Sequence, residues 1–219
     1  MIGAMERHLD PGSWPRRASF EHFRRLDNPY FNVCTRLDLT ALAALKARLP
    51  GSLSLAYHHL VLRLANELEP LRLRLDGERV RVFDAVHGST TVLRGDDSIA
   101  FADLDWERDF ARFAAQAGAR IGAVRRGERP FDATPERQDV LHFTTLPWID
   151  FTSFSHARNW RSGDAVPKIA FGRLQREADG RWRMAMAIEV HHALMDGLHV
   201  GRFVQLLQAR LDDPAPWLM

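Results

Sequence analysis

The sequence predicts an α+β fold, a two-layer sandwich with a mixed or antiparallel β-sheet flanked by helices, and three observations carry that expectation. Strand-like and amphipathic stretches are interleaved without strict strand–helix–strand alternation. Two alternating apolar pairs are joined by Asp-Gly, at Asp76-Gly77 and Asp179-Gly180, the composition of tight hairpins. The segment from Trp182 to Val190 is mostly apolar and free of Gly and Pro, as in a strand deep in a sheet, and it passes into helical spacing at Val200, Phe203, Val204, Leu207 and Leu211.

In chain order, residues 1–13 carry no clear pattern and are expected to be loosely ordered. Trp14 to Leu26 mixes aromatics with arginines and reads as a basic helix with an aromatic face. Phe31 to Leu37 is a strand, with Cys34 inside it as a packing residue. Thr40 is positioned to cap a short helix over 41–49, which Pro50-Gly51 ends. A second helix runs from about Ser54 to Glu69, with His58 and His59 as partly exposed positions. Leu71 to Leu75 and Val80 to Val82 form the first hairpin, and Thr90 to Leu93 a further strand. Phe101, Leu104, Phe110 and Phe113 suggest one amphipathic helix from Ile99 to about Ala119. Gly127 to Arg137 is a charged loop and the expected mobile segment. Val140 to Thr145 is a strand, and Lys168–Glu177 with Arg181–Val190 makes the second hairpin.

The bulk properties exclude several classes. The 219 residues suit one domain over 1–219, and 46% apolar content supports a sizeable core. A formal net charge of +2 gives no reason to expect nucleic acid or an anionic membrane as partner. Cys34 is the single cysteine, so no intrachain disulfide forms and a cytoplasmic location is expected. No signal peptide or membrane span is recognisable.

The junction after the long strand concentrates the chemistry: His191-His192-Ala193-Leu194-Met195-Asp196-Gly197. Adjacent histidines on extended backbone point to opposite faces, and no third ligand lies nearby, so a metal site is not expected. Asp196 suits the N-cap of the following helix. His191 reads as a satisfied, half-buried histidine. His192 is the better base, because a neutral imidazole near neutral pH can take a proton from a hydroxyl.

The pattern His-His-x-x-x-Asp-Gly near the end of the chain resembles the signature of the chloramphenicol acetyltransferase superfamily, which also holds the acyltransferase cores of 2-oxo-acid dehydrogenases and the condensation domains of peptide synthetases. Further motifs resemble chloramphenicol acetyltransferase itself, nearly end to end: Trp14-Pro15-Arg16-Arg17 with Phe20, Asn28-Pro29-Tyr30-Phe31-Asn32, Leu37-Asp38-Leu39-Thr40, Arg63-Leu64-Ala65-Asn66, Asp84-Ala85-Val86-His87, and Leu146-Pro147-Trp148-Ile149-Asp150-Phe151-Thr152-Ser153-Phe154.

The resemblance implies a central sheet flanked by helices and transfer of an acetyl group from acetyl-CoA to a hydroxyl, without a metal. It gives His192 the role of general base, acting through its outer nitrogen while backbone fixes the inner one. Thr144 stands where the family has a serine that donates to the oxyanion. Arg16 is the partner of Asp196 in a buried pair that holds the loop. Phe23, Phe154 and Ala170 fall in the acceptor pocket; Phe23 replaces a tyrosine and Ala170 a threonine. Chloramphenicol or a related small alcohol is the implied acceptor. A single lobe implies a homotrimer with active sites at the subunit interfaces, His192 of one copy facing Phe23 and Phe154 of the next. A lipoyl-dependent acyltransferase core and an inactive binding protein of the same fold are the alternatives.

Overall fold

The computed structural model describes residues 6–10, 12–131, 137–158 and 163–219. In order, the elements are β1 (Glu6–His8), α1 (Arg17–Phe23), β2 (Tyr30–Asp38), α2 (Thr40–Ala44), α3 (Leu53–Glu67), β3 (Leu73–Asp76), β4 (Arg79–Phe83), β5 (His87–Leu93), β6 (Ile99–Leu104), α4 (Phe110–Arg125), β7 (Val140–Thr145), β8 (Lys168–Phe171), β9 (Gln175–Arg176), β10 (Trp182–His191), α5 (Gly197–Asp212) and α6 (Ala215–Leu218). Among the described residues the strands form two sheets. The larger runs β2-β10-β8-β7-β5-β6, with β9 paired to β10, and the smaller β1-β4-β3.

The large sheet is mixed, as the sequence predicts. β10 lies antiparallel to both β2 and β8, β7 is parallel to β8 and β5, and β6 closes the edge antiparallel to β5. The β10 run is central because both of its faces are covered: Met184 through His191 are all buried. One sheet face, with Leu141, Phe143, Ile169, Phe171, Met186 and Ile188, packs into the same core as α3 and α5, through Leu60, Leu64, Phe203 and Leu207. Such burial contributes about 25 cal/mol per Å² of apolar surface. The long helices α3 and α4 begin where side chains accept their free N–H groups: Ser52 takes Leu55 N–H at 3.2 Å, and Asp109 takes Arg112 N–H at 2.8 Å. Gly77 turns the first hairpin at φ +59° and Gly180 the second at +82°, the left-handed region that glycine enters without strain.

Several expectations are corrected. Residues 99–104 are not helical; they are edge strand β6, and the helix starts at Phe110 behind Asp109. The period is two: Ala100, Ala102 and Leu104 are buried and alternate with Ile99, Phe101 and Asp103, while the phenylalanines happen also to fit a helical spacing. Part of the expected loose start is ordered, since Glu6 to His8 pair with Phe83 to Arg81. The short helix starts with Thr40 inside it, and Asp38 supplies the carboxylate that accepts Thr40 N–H. It gives way at Lys46 to a single 3₁₀ turn. His58 and His59 are buried rather than partly exposed: His58 meets Phe143 and Phe171, and His59 lies among Trp106, Phe110 and Phe113. Cys34 is exposed rather than packed, its thiol donating to Asn32 Oδ1 at 3.6 Å. Of the expected mobile loop, residues 132–136 lie outside the described residues. Among the described residues, no helix is long and apolar enough to cross a membrane.

Candidate active site

The His-His pair sits where β10 stops. His191 is the last ladder residue, opposite Tyr30, and the chain then turns, with Leu194 N–H and Met195 N–H both donating to His191 O at 3.0 and 3.1 Å. His191 faces inward: it is buried, edge-on to the Tyr30 ring at 5.1 Å, and its Nδ1 accepts from Ala193 N–H at 3.2 Å. Burial, with the nearby Arg158 charge, pushes its pKa down to about 4, so it is neutral at physiological pH.

His192 turns the other way. Its N–H donates to Pro29 O at 2.7 Å, tying the turn to the start of β2. Its ring lies flat on Phe23, with centroids 3.7 Å apart and planes 5° from parallel, and Phe31 closes on it at 4.7 Å and 49°. The inner nitrogen departs from expectation: Nδ1 is buried and has no hydrogen-bond partner among the described residues, so stacking rather than backbone holds the ring. Nε2 is left as the accessible nitrogen.

Arg16, just before α1, braces the turn from outside. Nε donates to Asp196 Oδ2 at 3.3 Å, Nη1 to Ala193 O and Nη2 to His192 O, both at 3.2 Å. The pair therefore forms, but it is only partly buried: the Asp196 side chain keeps 37% of its exposure and Arg16 15%. Most of what Arg16 does is satisfy two turn carbonyls, since a half-exposed ion pair adds little stability. Asp196 also caps α5, its Oδ1 accepting from Leu198 N–H at 3.2 Å. His199 Nδ1 lies 2.8 Å from the same carboxylate and 3.1 Å from Asp196 N–H. His199 and Arg16, after the cost of partial burial, hold the Asp196 carboxyl below the usual carboxylate range.

The remaining expected site residues lie elsewhere in the chain. Thr144 is half-buried on β7, and its hydroxyl makes no hydrogen bond among the described residues. It stands on a sheet rung with Ala170 of β8, Ala187 of β10 and Cys34 of β2. Ala170 is fully buried. Phe154 lies on the segment after β7, its carbonyl accepting from Asn32 Nδ2 at 2.5 Å. Ala187 precedes His192 by five residues and Thr144 is two strands from β10. At about 3.3 Å per residue and 4.8 Å per strand, His192 and Thr144 of one chain are thus roughly 19 Å apart.

Phe23 corrects the expected division between copies, because it packs on His192 of its own chain. Sequence reading did not assign Phe31 or His199 to the site. Phe31 lay inside the Asn28–Asn32 motif without being singled out from it. His199, three residues after Asp196, carried a helix-capping spacing as its signal.

Comparison with known proteins agrees over nearly the whole chain. A family described as "Chloramphenicol acetyltransferase" matches residues 6–208. Chloramphenicol acetyltransferase of Streptomyces acrimycini is 29% identical over 212 residues, 96% of each chain. Chloramphenicol acetyltransferase 3 of Escherichia coli is 28% identical over 205 residues, 91% of this chain and 94% of that one. A solved chloramphenicol acetyltransferase superposes with a TM-score of 0.82 at 25% identity, covering 94% of this chain and all of the other. The cubic core of a pyruvate dehydrogenase multienzyme complex reaches 0.71 at 18% identity, a likeness of fold alone.

Proposed function

The chain belongs to the chloramphenicol acetyltransferase family, and from that premise we propose that it transfers an acetyl group from acetyl-CoA directly to the hydroxyl of a small alcohol, chloramphenicol or a relative of it. As a member of that family it is an acyltransferase. The observation that carries the finer reading is the His192 ring, stacked on Phe23 with Nε2 accessible.

In the proposed step, His192 Nε2 takes the proton of the acceptor hydroxyl as its oxygen attacks the thioester carbonyl. The new C–O bond pushes the carbonyl π electrons onto oxygen, and the Thr144 hydroxyl donates to that oxyanion. Collapse re-forms the carbonyl and breaks the C–S bond; the departing thiolate takes the proton back from the imidazolium. General-base help is typically worth about 10²–10⁴ and one oxyanion donor about 10²–10³. No acyl-enzyme is needed, because the acceptor attacks directly.

The roughly 19 Å between His192 and Thr144 in one chain supports a site completed between copies, because base and oxyanion donor must converge within hydrogen-bonding reach of one substrate. We assign this to a homotrimer, with His192, Phe23 and Phe31 from one copy and Thr144 from the next. No feature of the site favours a lipoyl-bound acceptor. The test is release of CoA thiol with and without acceptor: the wild-type protein releases it only with an alcohol present, and His192→Ala does not. Thiol release unaffected by His192→Ala overturns the reading.

A further inference from the structure

The sheet face that carries Thr144 also carries a line of polar side chains with no part in the steps above. Asp103 pairs with Ser89, Ser89 with His142, His142 with Lys168, Lys168 with Glu189, and Glu189 with Asn32, so one rung crosses six strands. Leu141 and Phe143, on either side of His142 in β7, are buried in the core. His142 and Thr144 therefore share the opposite face, about 6–7 Å apart.

Polar groups in such a row are costly unless bonded, and most of these are bonded. Lys168 Nζ donates to Asp164 at 3.1 Å and to Ala157 O at 2.8 Å. Glu189 accepts from Arg158 Nε at 2.5 Å, and Asn32 donates to Phe154 O. His142 is not. Its half-buried ring makes no hydrogen bond among the described residues. Burial, reinforced by the Lys168 charge, pushes it down to about 4 and keeps it neutral. His156 is edge-on to Phe154 at 4.7 Å with neither ring nitrogen bonded among the described residues.

We propose that His142 determines acceptor specificity, its imidazole hydrogen-bonding a second hydroxyl of the acceptor, so that polyhydroxylated acceptors are selected over simple aryl alcohols. The inference rests on the acetyl-transfer reading, in which Thr144 marks the reacting carbon. A neutral imidazole offers one donor and one acceptor, the complement of a hydroxyl. A carboxylate finds no free cation here, since Lys168 and Arg158 are already paired with Asp164 and Glu189. An aryl alcohol without the second hydroxyl leaves the imidazole desolvated and unbonded, which lowers its kcat/KM about tenfold or more.

The test is steady-state thiol release from acetyl-CoA, with methyl glucopyranoside and 2-phenylethanol as acceptors, for the wild type, His142→Leu and His142→Asn. The wild type should favour the sugar at least tenfold in kcat/KM, by an order-of-magnitude expectation. His142→Leu should raise KM for the sugar by about that factor, leaving kcat and the KM values for 2-phenylethanol and acetyl-CoA within about twofold. His142→Asn, which keeps a donor and an acceptor and guards against a folding defect in the leucine variant, should recover part of the loss. A wild-type preference for 2-phenylethanol, or equal losses on both acceptors in both variants, overturns this inference and leaves the acetyl-transfer reading standing. No thiol release by the wild type with either acceptor, while chloramphenicol is acetylated, overturns this inference alone; no release with chloramphenicol either overturns both.

Discussion

The imidazole of His192 lies parallel to the ring of Phe23, with centroids 3.7 Å apart, and no described residue hydrogen-bonds its inner nitrogen. The orientation of the proposed base is thus a matter of packing. An aromatic pair contributes about 0.5–1.5 kcal/mol beyond its buried area. Phe23→Leu should therefore lower kcat by about 2–10-fold, a conversion at 1.4 kcal/mol per decade, with KM for acetyl-CoA unchanged. An unaltered kcat contradicts this role of the stack.

The Arg16 guanidinium reaches two turn carbonyls as well as Asp196, and the ion pair itself is half-exposed. Asp196→Asn should cost under about 1 kcal/mol, because a screened pair adds little and an amide oxygen can still cap α5. Arg16→Ala leaves the carbonyls of His192 and Ala193 without that donor and should cost about 1–3 kcal/mol. Urea unfolding of the two variants checks the order; equal losses contradict it.

Buried imidazoles make the fold acid-sensitive. His58 and His59 are pushed from 6.5 down to about 4 by burial. Between those values the unfolded chain binds more protons than the folded one. Stability is then fully present above pH 6.5 and falls as the pH drops toward 4, by at most about 1.4 kcal/mol per pH unit for each group. The urea midpoint should decline across that window, and His58→Asn should flatten the decline. A midpoint constant from pH 7 to 4.5 contradicts it.

The turn carrying His192, the long β10 and its hairpin, β7, and the meeting of Arg16 with Asp196 were all legible in the sequence. Each is written in a local pattern or in a motif whose two ends are distinctive. Residues 99–104 were misread because four phenylalanine and leucine positions satisfied a helical period while the alternating alanines carried the true one. The burial of His58 and His59 was hidden because polarity suggested exposure, whereas each ring finds one backbone carbonyl, Ser54 O or Glu107 O, inside an aromatic shell. The rung from Asp103 to Asn32 is invisible along the chain. Its six members come from six strands and meet only through register.

The proposed trimer rests on the separation of the proposed base and oxyanion donor. Light scattering should give three times the 25.0 kDa chain mass. His192→Ala and Thr144→Ala chains, each inactive alone, should regain activity when co-expressed, because a mixed assembly contains interfaces with both residues intact. An active monomer, or no recovery in the mixture, contradicts a shared site.

The central claim is that His192 is the base and His191 its packing neighbour, and steady-state thiol release by the two alanine variants tests it most directly. His192→Ala should lose about 10²–10⁴ in kcat with its melting temperature nearly unchanged. His191→Ala should lose far less in kcat and more in melting temperature, since that ring is buried against Tyr30. Equal losses of kcat in the two variants, or a larger loss for His191→Ala, would contradict the account.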